Sequence, residues 1–206
     1  MDQTMLLEPL QEVASISVGN AATALAKLIG KQVTVSSPSV TLVAVEQVSG
    51  TLGPAGQVSS AGLVKIQGDA QGLLVFSLDP TDAEAIAKGV IQQQTDAAFT
   101  DTDQAVFREM INIVGGTALT SLATFLDMEL LQSIPASTTD MLGAVLDPFI
   151  AELGTEFEKV LLLQEVFTIP AQGLSLKLVF VIDPPSTTKM LQKITEKLNA
   201  PHGPNN

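Results

Sequence analysis

The chain repeats itself. Slid by 97 residues, the sequence places Glu12 on Glu109, Ile16 on Ile113, Gly19 on Gly116, Ala21 on Ala118, Thr23 on Thr120, Leu25 on Leu122 and Pro38 on Pro135. Later in each half, Val75-Phe76-Ser77-Leu78-Asp79-Pro80 mirrors Val179-Phe180-Val181-Ile182-Asp183-Pro184 at a shift of 104. Two half-domains related by duplication, residues 5–97 and 98–199, account for both matches. The seven extra residues of the second half are assigned to 139–153. With 206 residues in all, the halves form one domain around a shared core.

Each half reads alike. A long helix comes first, over residues 6–29 and 103–126, with Asp101 and Gln104 forming a capping box for the second. Short strands follow at 32–36 and 129–133, each ending before its proline. A hairpin comes next, 62–67 with 72–78 and 161–168 with 174–182. Asp79-Pro80 and Asp183-Pro184 then supply an N-cap and a first-turn proline for closing helices. Residues 49–60 are read as a loop. Residues 139–153 are read as a short helix interrupted at Asp147-Pro148, core-facing through Met141, Leu142, Val145 and Leu146. The fold class is α+β, its halves joined with pseudo-two-fold symmetry. Their strands pair into one mostly antiparallel sheet, with the long helices packed against it.

Composition narrows the chemistry. The net charge of −12 argues against binding a nucleic-acid backbone. There is no cysteine, which excludes disulfides, thiolate nucleophiles and cysteine-ligated zinc. The single histidine is His202, in residues 200–206, read as a disordered tail; a Ser-His-Asp triad has no histidine to use. No phosphate-binding or dinucleotide-binding glycine motif is present, and no cofactor of the protein's own is expected. Catalysis would rest on carboxylates, amides and hydroxyls. Residues 1–4 lack the basic region of a signal peptide, and the uncharged run 110–126 is too short and too polar to span a bilayer. No membrane association is expected, and the cytoplasm is the default location.

On the second long helix, Ala105, Arg108, Glu109 and Asn112 fall at i, i+3, i+4 and i+7 and share one face. The opposite face carries Val106, Met110 and Ile113, with Phe107, Ile111 and Val114 beside them, and burying that side turns Glu109 and Asn112 outward. Gly115 and Gly116 continue toward the same face, and two helix-weakening glycines in succession suggest a close approach there. In the first helix the stripe reads Glu8, Gln11, Glu12 and Ser15, with Gly19 beyond. An exposed Glu and Asn are ordinarily a solvated face. Here Glu109-x-x-Asn112 is followed by 22 residues and Pro135, and the first copy carries Glu12, Ser15 and Pro38 in the same register. Each proline is read as shaping the chain after its strand.

This doubled Glu-x-x-Asn-x22-Pro pattern resembles the CheC, CheX and FliY proteins. The stretch Glu12-Val13-Ala14-Ser15-Ile16-Ser17-Val18-Gly19-Asn20-Ala21-Ala22-Thr23-Ala24-Leu25 is similar to that family's opening segment. The likeness extends to about residue 198 and is to the two-copy CheC type. It departs from the pattern at Ser15, where the family has Asn, and at Glu8 and Ala105, where the family tends to have Asp or Ser. The resemblance implies a chemotaxis phosphatase that hydrolyses the aspartyl phosphate of the response regulator CheY. Asn112 would hold the attacking water and Glu109 would pair with a regulator lysine, while the regulator brings its own Mg2+. Glu12 and Ser15 form a second, degenerate site, expected to be weak or silent. The alternative implied is a non-catalytic adaptor that binds phosphorylated CheY or the receptor deamidase CheD; the segment 139–153 is a candidate surface for the latter. Because the duplication already supplies a two-fold contact, a monomer is expected.

Overall fold

The computed structural model describes residues 3–91 and 101–199, with side-chain surroundings for 7–90 and 103–199. The tail 200–206 with His202, and the Asp101 side chain of the expected capping box, lie outside the described residues. Helix α1 (Gln3–Ile29) leads to strands β1 (Thr34–Val35) and β2 (Ser39–Ala44), a 3-10 turn (Val45–Gln47) and the short helix α2 (Val48–Leu52). The hairpin β3 (Val58–Gly68) and β4 (Gly72–Leu78) follows, then α3 (Pro80–Ile91). The second half runs α4 (Asp101–Leu126), β5 (Leu130–Gln132), β6 (Ala136–Met141), α5 (Leu142–Glu156), β7 (Lys159–Ile169), β8 (Leu174–Ile182) and α6 (Pro184–Asn199).

Local chemistry explains the helix ends. Both long helices stop at a residue in the left-handed region, Gly30 (φ 66°) and its repeat counterpart Asp127 (φ 53°). Beyond each, a 6→1 hydrogen bond closes the terminus, from Lys31 N to Ala26 O and from Met128 N to Ala123 O, the bond of a Schellman motif. The closing helices begin as the sequence led us to expect. Asp79 accepts from Thr81 N and Asp183 from Ser186 N, each with proline at the next position. The two bonds from Thr81 also hold the Asp79 carboxyl below the usual carboxylate range.

All strand pairings are antiparallel, in the order β1-β7-β8-β4-β3-β5, with β2 also on β7 and β6 also on β3. The order reads the same from either end. At its centre Val75 pairs with Val179, two residues that the sequence repeat had already aligned. Each half also lends its first two strands to the other half's hairpin. β1 and β2 lie on β7, and β5 and β6 lie on β3.

The sheet is covered on both faces. On one side α1, α3, α4 and α6 bury the larger core. Leu10, Val13, Val18 and Leu25 of α1, with Met110, Ile111, Val114 and Leu122 of α4, sit over Leu74, Phe76, Leu178 and Phe180. On the other side α2 and α5 bury Val48, Leu52, Leu142, Val145 and Leu146 against Leu73, Val75, Val179 and Val181. The alternation of β4 and β8 residues between the two cores follows the two-residue period of a strand. Helix α4 is long and apolar enough to cross a bilayer by length and composition alone, but its apolar stripe is buried in the larger core.

The structure corrects several expectations. Strands β2 and β6 were not foreseen, and the expected strands at 32–36 and 129–133 shrink to β1 and β5. The presumed loop 49–60 contains most of α2 and the start of β3. Helix α5 is not interrupted at Asp147-Pro148, because Pro148 lies inside it. Residues on both sides of the proline, Val145 and Leu146 before it and Phe149, Ile150 and Leu153 after it, pack on the same core. That shared packing carries the helix past one lost hydrogen bond. β3 and β7 are offset by 101 residues, and β4 and β8 end 104 residues apart, so the extra residues divide between α5 and the β7–β8 turn.

Candidate functional site

The site is built from one face of α4 and the corner that links β5 to β6. Burial of Phe107, Met110, Ile111 and Val114 fixes the rotation of α4 and leaves Arg108 and Glu109 exposed, with Asn112 half-buried. The corner is pinned by Ser133, whose N–H donates to Lys65 O while its Oγ accepts from Lys65 N. Ser36 makes the same two bonds with Val166 in the first copy. The serine replaces a strand's ladder bonds at the bend, and the proline two residues on immediately precedes the next strand.

Between these elements lies an open depression of about 410 Å3, lined by Ala105, Arg108, Glu109, Asn112, Gln132, Ser133, Ile134 and Pro135. Glu109 and Asn112 therefore open on the same hollow, and Pro135 forms part of its far wall. Gln132, which sequence reasoning missed, is the strongest contact across it. Its Nε2 donates to Asn112 Oδ1 at 2.7 Å and lies 3.4 Å from Asn112 O. One apolar side chain stands at the edge of the hollow: Ile134, 92% exposed.

The glycines do not face the hollow as expected. Gly115 is buried, and a Cβ there would stand 3.0 Å from Leu74 and 3.3 Å from Phe76. The close approach it permits is to the sheet. At Gly116 a Cβ would lie 3.3 Å from Gln132 Nε2, so this glycine makes room for the residue that holds Asn112. Gly19, in the first copy, has open space around it.

The first copy is arranged differently. Glu12 and Ser15 are both exposed on α1, yet the Ser15 hydroxyl donates back to Gln11 O at 3.0 Å. The Gln11 side chain crosses to Pro38 O at 2.7 Å, and Pro38 is buried. Val35 stands where the repeat places Gln132, and Ser37 where it places Ile134. Among the described residues no cluster of three or more His, Asp or Glu side chains is arranged to hold a metal ion.

Residues 60–148 match the family model for the chemotaxis phosphatase CheX, and residues 10–42 match that for the CheC-like family. The CheY-P phosphatase CheC of Bacillus subtilis (strain 168) is 26% identical over 151 residues, which span 71% of this chain and 72% of that one. In sequence the chain is thus similar to the CheX and CheC proteins. The fold agrees. FliY of Thermotoga maritima superposes with a TM-score of 0.73 at 21% identity, over 91% of this chain and 94% of its own. CheX of Borrelia burgdorferi, solved with CheY, BeF3 and Mg2+, superposes at 0.53 with 16% identity, over 85% and 96%. Within this CheC/CheX/FliY fold, Gln132 was hidden from sequence reasoning because it is one of the 22 unspecified positions of the Glu-x-x-Asn-x22-Pro pattern. The one available signal was that the repeat sets a long polar amide against Val35.

Proposed function

We propose that this chain accelerates hydrolysis of the aspartyl phosphate on the response regulator CheY, with Asn112 as the residue that orients the attacking water. The observation that carries this reading is the shared opening of Glu109 and Asn112 on one open hollow, where a protein surface can reach both. The CheC relative is a CheY-P phosphatase by name, which supports the same reaction class. In the step proposed, the water oxygen bonds to phosphorus as the bond from phosphorus to the aspartyl oxygen breaks. Inorganic phosphate and a free carboxylate result, and the displaced water proton passes to the phosphate.

Such phosphoryl transfer needs alignment more than a strong base. Asn112 Oδ1 accepts one bond from Gln132 and keeps a second lone pair. A water that donates to that lone pair retains its own lone pair for phosphorus. Glu109, exposed one turn away, would meet a cationic side chain of the regulator. The regulator would also bring the phosphoaspartate and its Mg2+, which supplies charge neutralisation. Ile134 at the edge of the hollow would press on the regulator's surface. In the first copy the Ser15 hydroxyl is turned to its own helix and Gln11 is tied to Pro38, so that site is read as silent.

The same reading takes the chain as a duplicated unit, a monomer acting in the cytoplasm. The two-fold strand order, with Val75 on Val179, supports the first of these. The test is phosphate release from phosphorylated CheY with the intact chain, Asn112→Ala, Glu109→Ala and Ser15→Ala. Asn112→Ala is expected to lose at least about tenfold in turnover, equivalent to about 1.4 kcal/mol, while Ser15→Ala stays near the intact rate. No acceleration by the intact chain would leave the adaptor role, toward phosphorylated CheY or CheD, in its place.

A further inference from the structure

An asparagine carboxamide on an exposed helix face turns freely about its last torsion, which has two broad wells. Its oxygen and nitrogen then trade places, and only one arrangement offers a lone pair to a water. Something must choose between them if Asn112 is to align a nucleophile. The geometry points to Gln132 as that positioning residue: its side-chain amide holds Asn112 in the orientation that leaves an Oδ1 lone pair in the hollow. The inference rests on the reading of Asn112 given above and deepens it.

Four observations carry it. Gln132 Nε2 donates to Asn112 Oδ1 at 2.7 Å, from a different element. That element is fixed by pairing of Gln132 with Ile66 and by the two bonds between Ser133 and Lys65. Gln132 Oε1 is buried without a hydrogen-bond partner, a cost to stability that packing alone would not retain. Gly116 supplies the room, since a Cβ there would lie 3.3 Å from Nε2 and 3.4 Å from Oε1. Finally, the first copy lacks both members together, with Ser15 in place of the amide and Val35 in place of its holder.

Gln132→Leu and Gln132→Glu test this with phosphorylated CheY. Gln132→Leu should lower kcat about tenfold with KM nearly unchanged, and adding Asn112→Ala to it should cost little more. Gln132→Glu separates donation from mere bulk. Its ionised carboxylate cannot donate to Oδ1, so at high pH it should match Gln132→Leu. Its protonated form can donate, so activity should return as pH falls. Arg108 and Glu109 line the same hollow, and Lys65 on β3 directs its ammonium to Phe149, 5.8 Å from the ring centre. All three are common to the intact chain and the variant, so the ratio of the two pH profiles isolates residue 132.

Full activity of Gln132→Glu at high pH, a loss confined to KM in Gln132→Leu, or independent multiplication of the Gln132→Leu and Asn112→Ala losses would overturn the assignment. The side-chain amide resonances of Asn112 give a readout that needs no turnover. Gln132→Leu should shift them, while Ser15→Ala leaves them alone. If the intact chain fails to release phosphate yet these resonances respond, the reaction is misassigned and the positioning contact stands. If they do not respond, the positioning contact is wrong.

Discussion

Glu165 is a carboxyl group placed among leucines. It lies on β7, is 1% exposed, and neither of its oxygens has a hydrogen-bond partner. By strand alternation it shares the face of Leu163 and Phe167, which belong to the larger core. Burial pushes its pKa from the ordinary 4.5 up to about 8. A raised carboxyl pKa means the folded chain holds a proton that the unfolded chain has released. The stability this confers is fully present below about pH 4.5, is lost as pH climbs to about 8, and changes no further above that. The loss approaches about 1.4 kcal/mol for each pH unit in that window. Val64 occupies the matching place on β3 by the offset of the paired strands, which makes valine a natural replacement. Glu165→Val should be more stable than the intact chain at pH 8, and that advantage should shrink toward pH 4.5. Urea midpoints at several pH values measure it, and a difference independent of pH would contradict the assignment.

At the scale of elements, the corner between β5 and β6 matters as much as α4. Ile134 sits at its tip almost wholly in water, next to the acid and amide of the hollow. An apolar side chain held there by a pinned bend gains most when a partner covers it. Ile134→Asp is therefore expected to raise KM for phosphorylated CheY about tenfold while leaving kcat close to the intact value. Titration of initial rates against regulator concentration separates the two, and an unchanged KM would remove Ile134 from the docking surface.

The long helices, both hairpins and the two Asp-Pro starts were legible from periodicity and capping, because burial and local hydrogen bonding there follow residue type directly. The face carrying Glu109 and Asn112 was legible for the same reason. Strands β2 and β6 were not. They are edge strands paired on one side only, and Ala136-Ser137-Thr138-Thr139-Asp140 carries no apolar alternation for a sequence reading to detect. Gln132 and the true neighbours of Gly115 and Gly116 were invisible because they depend on which strand passes beneath a helix. That is tertiary information.

At the scale of the whole molecule, neither half closes on itself. The hairpin β3–β4 needs β5 and β6 on its outer edge, and β7–β8 needs β1 and β2. Separate fragments of residues 1–97 and 98–206 should each lack cooperative structure. Mixed together, they should regain helical circular dichroism and a single unfolding transition. Cooperative melting of either fragment alone would refute this mutual dependence.

The strand exchange bears on what the first copy, which carries Ser15 in place of the amide, does for the second. The wall that presents Gln132 and Ile134 is laid on Ile66, Gln67 and Gly68 of the first half. A copy without the asparagine still serves as the foundation under its twin, so the chain cannot discard it without undoing the other copy.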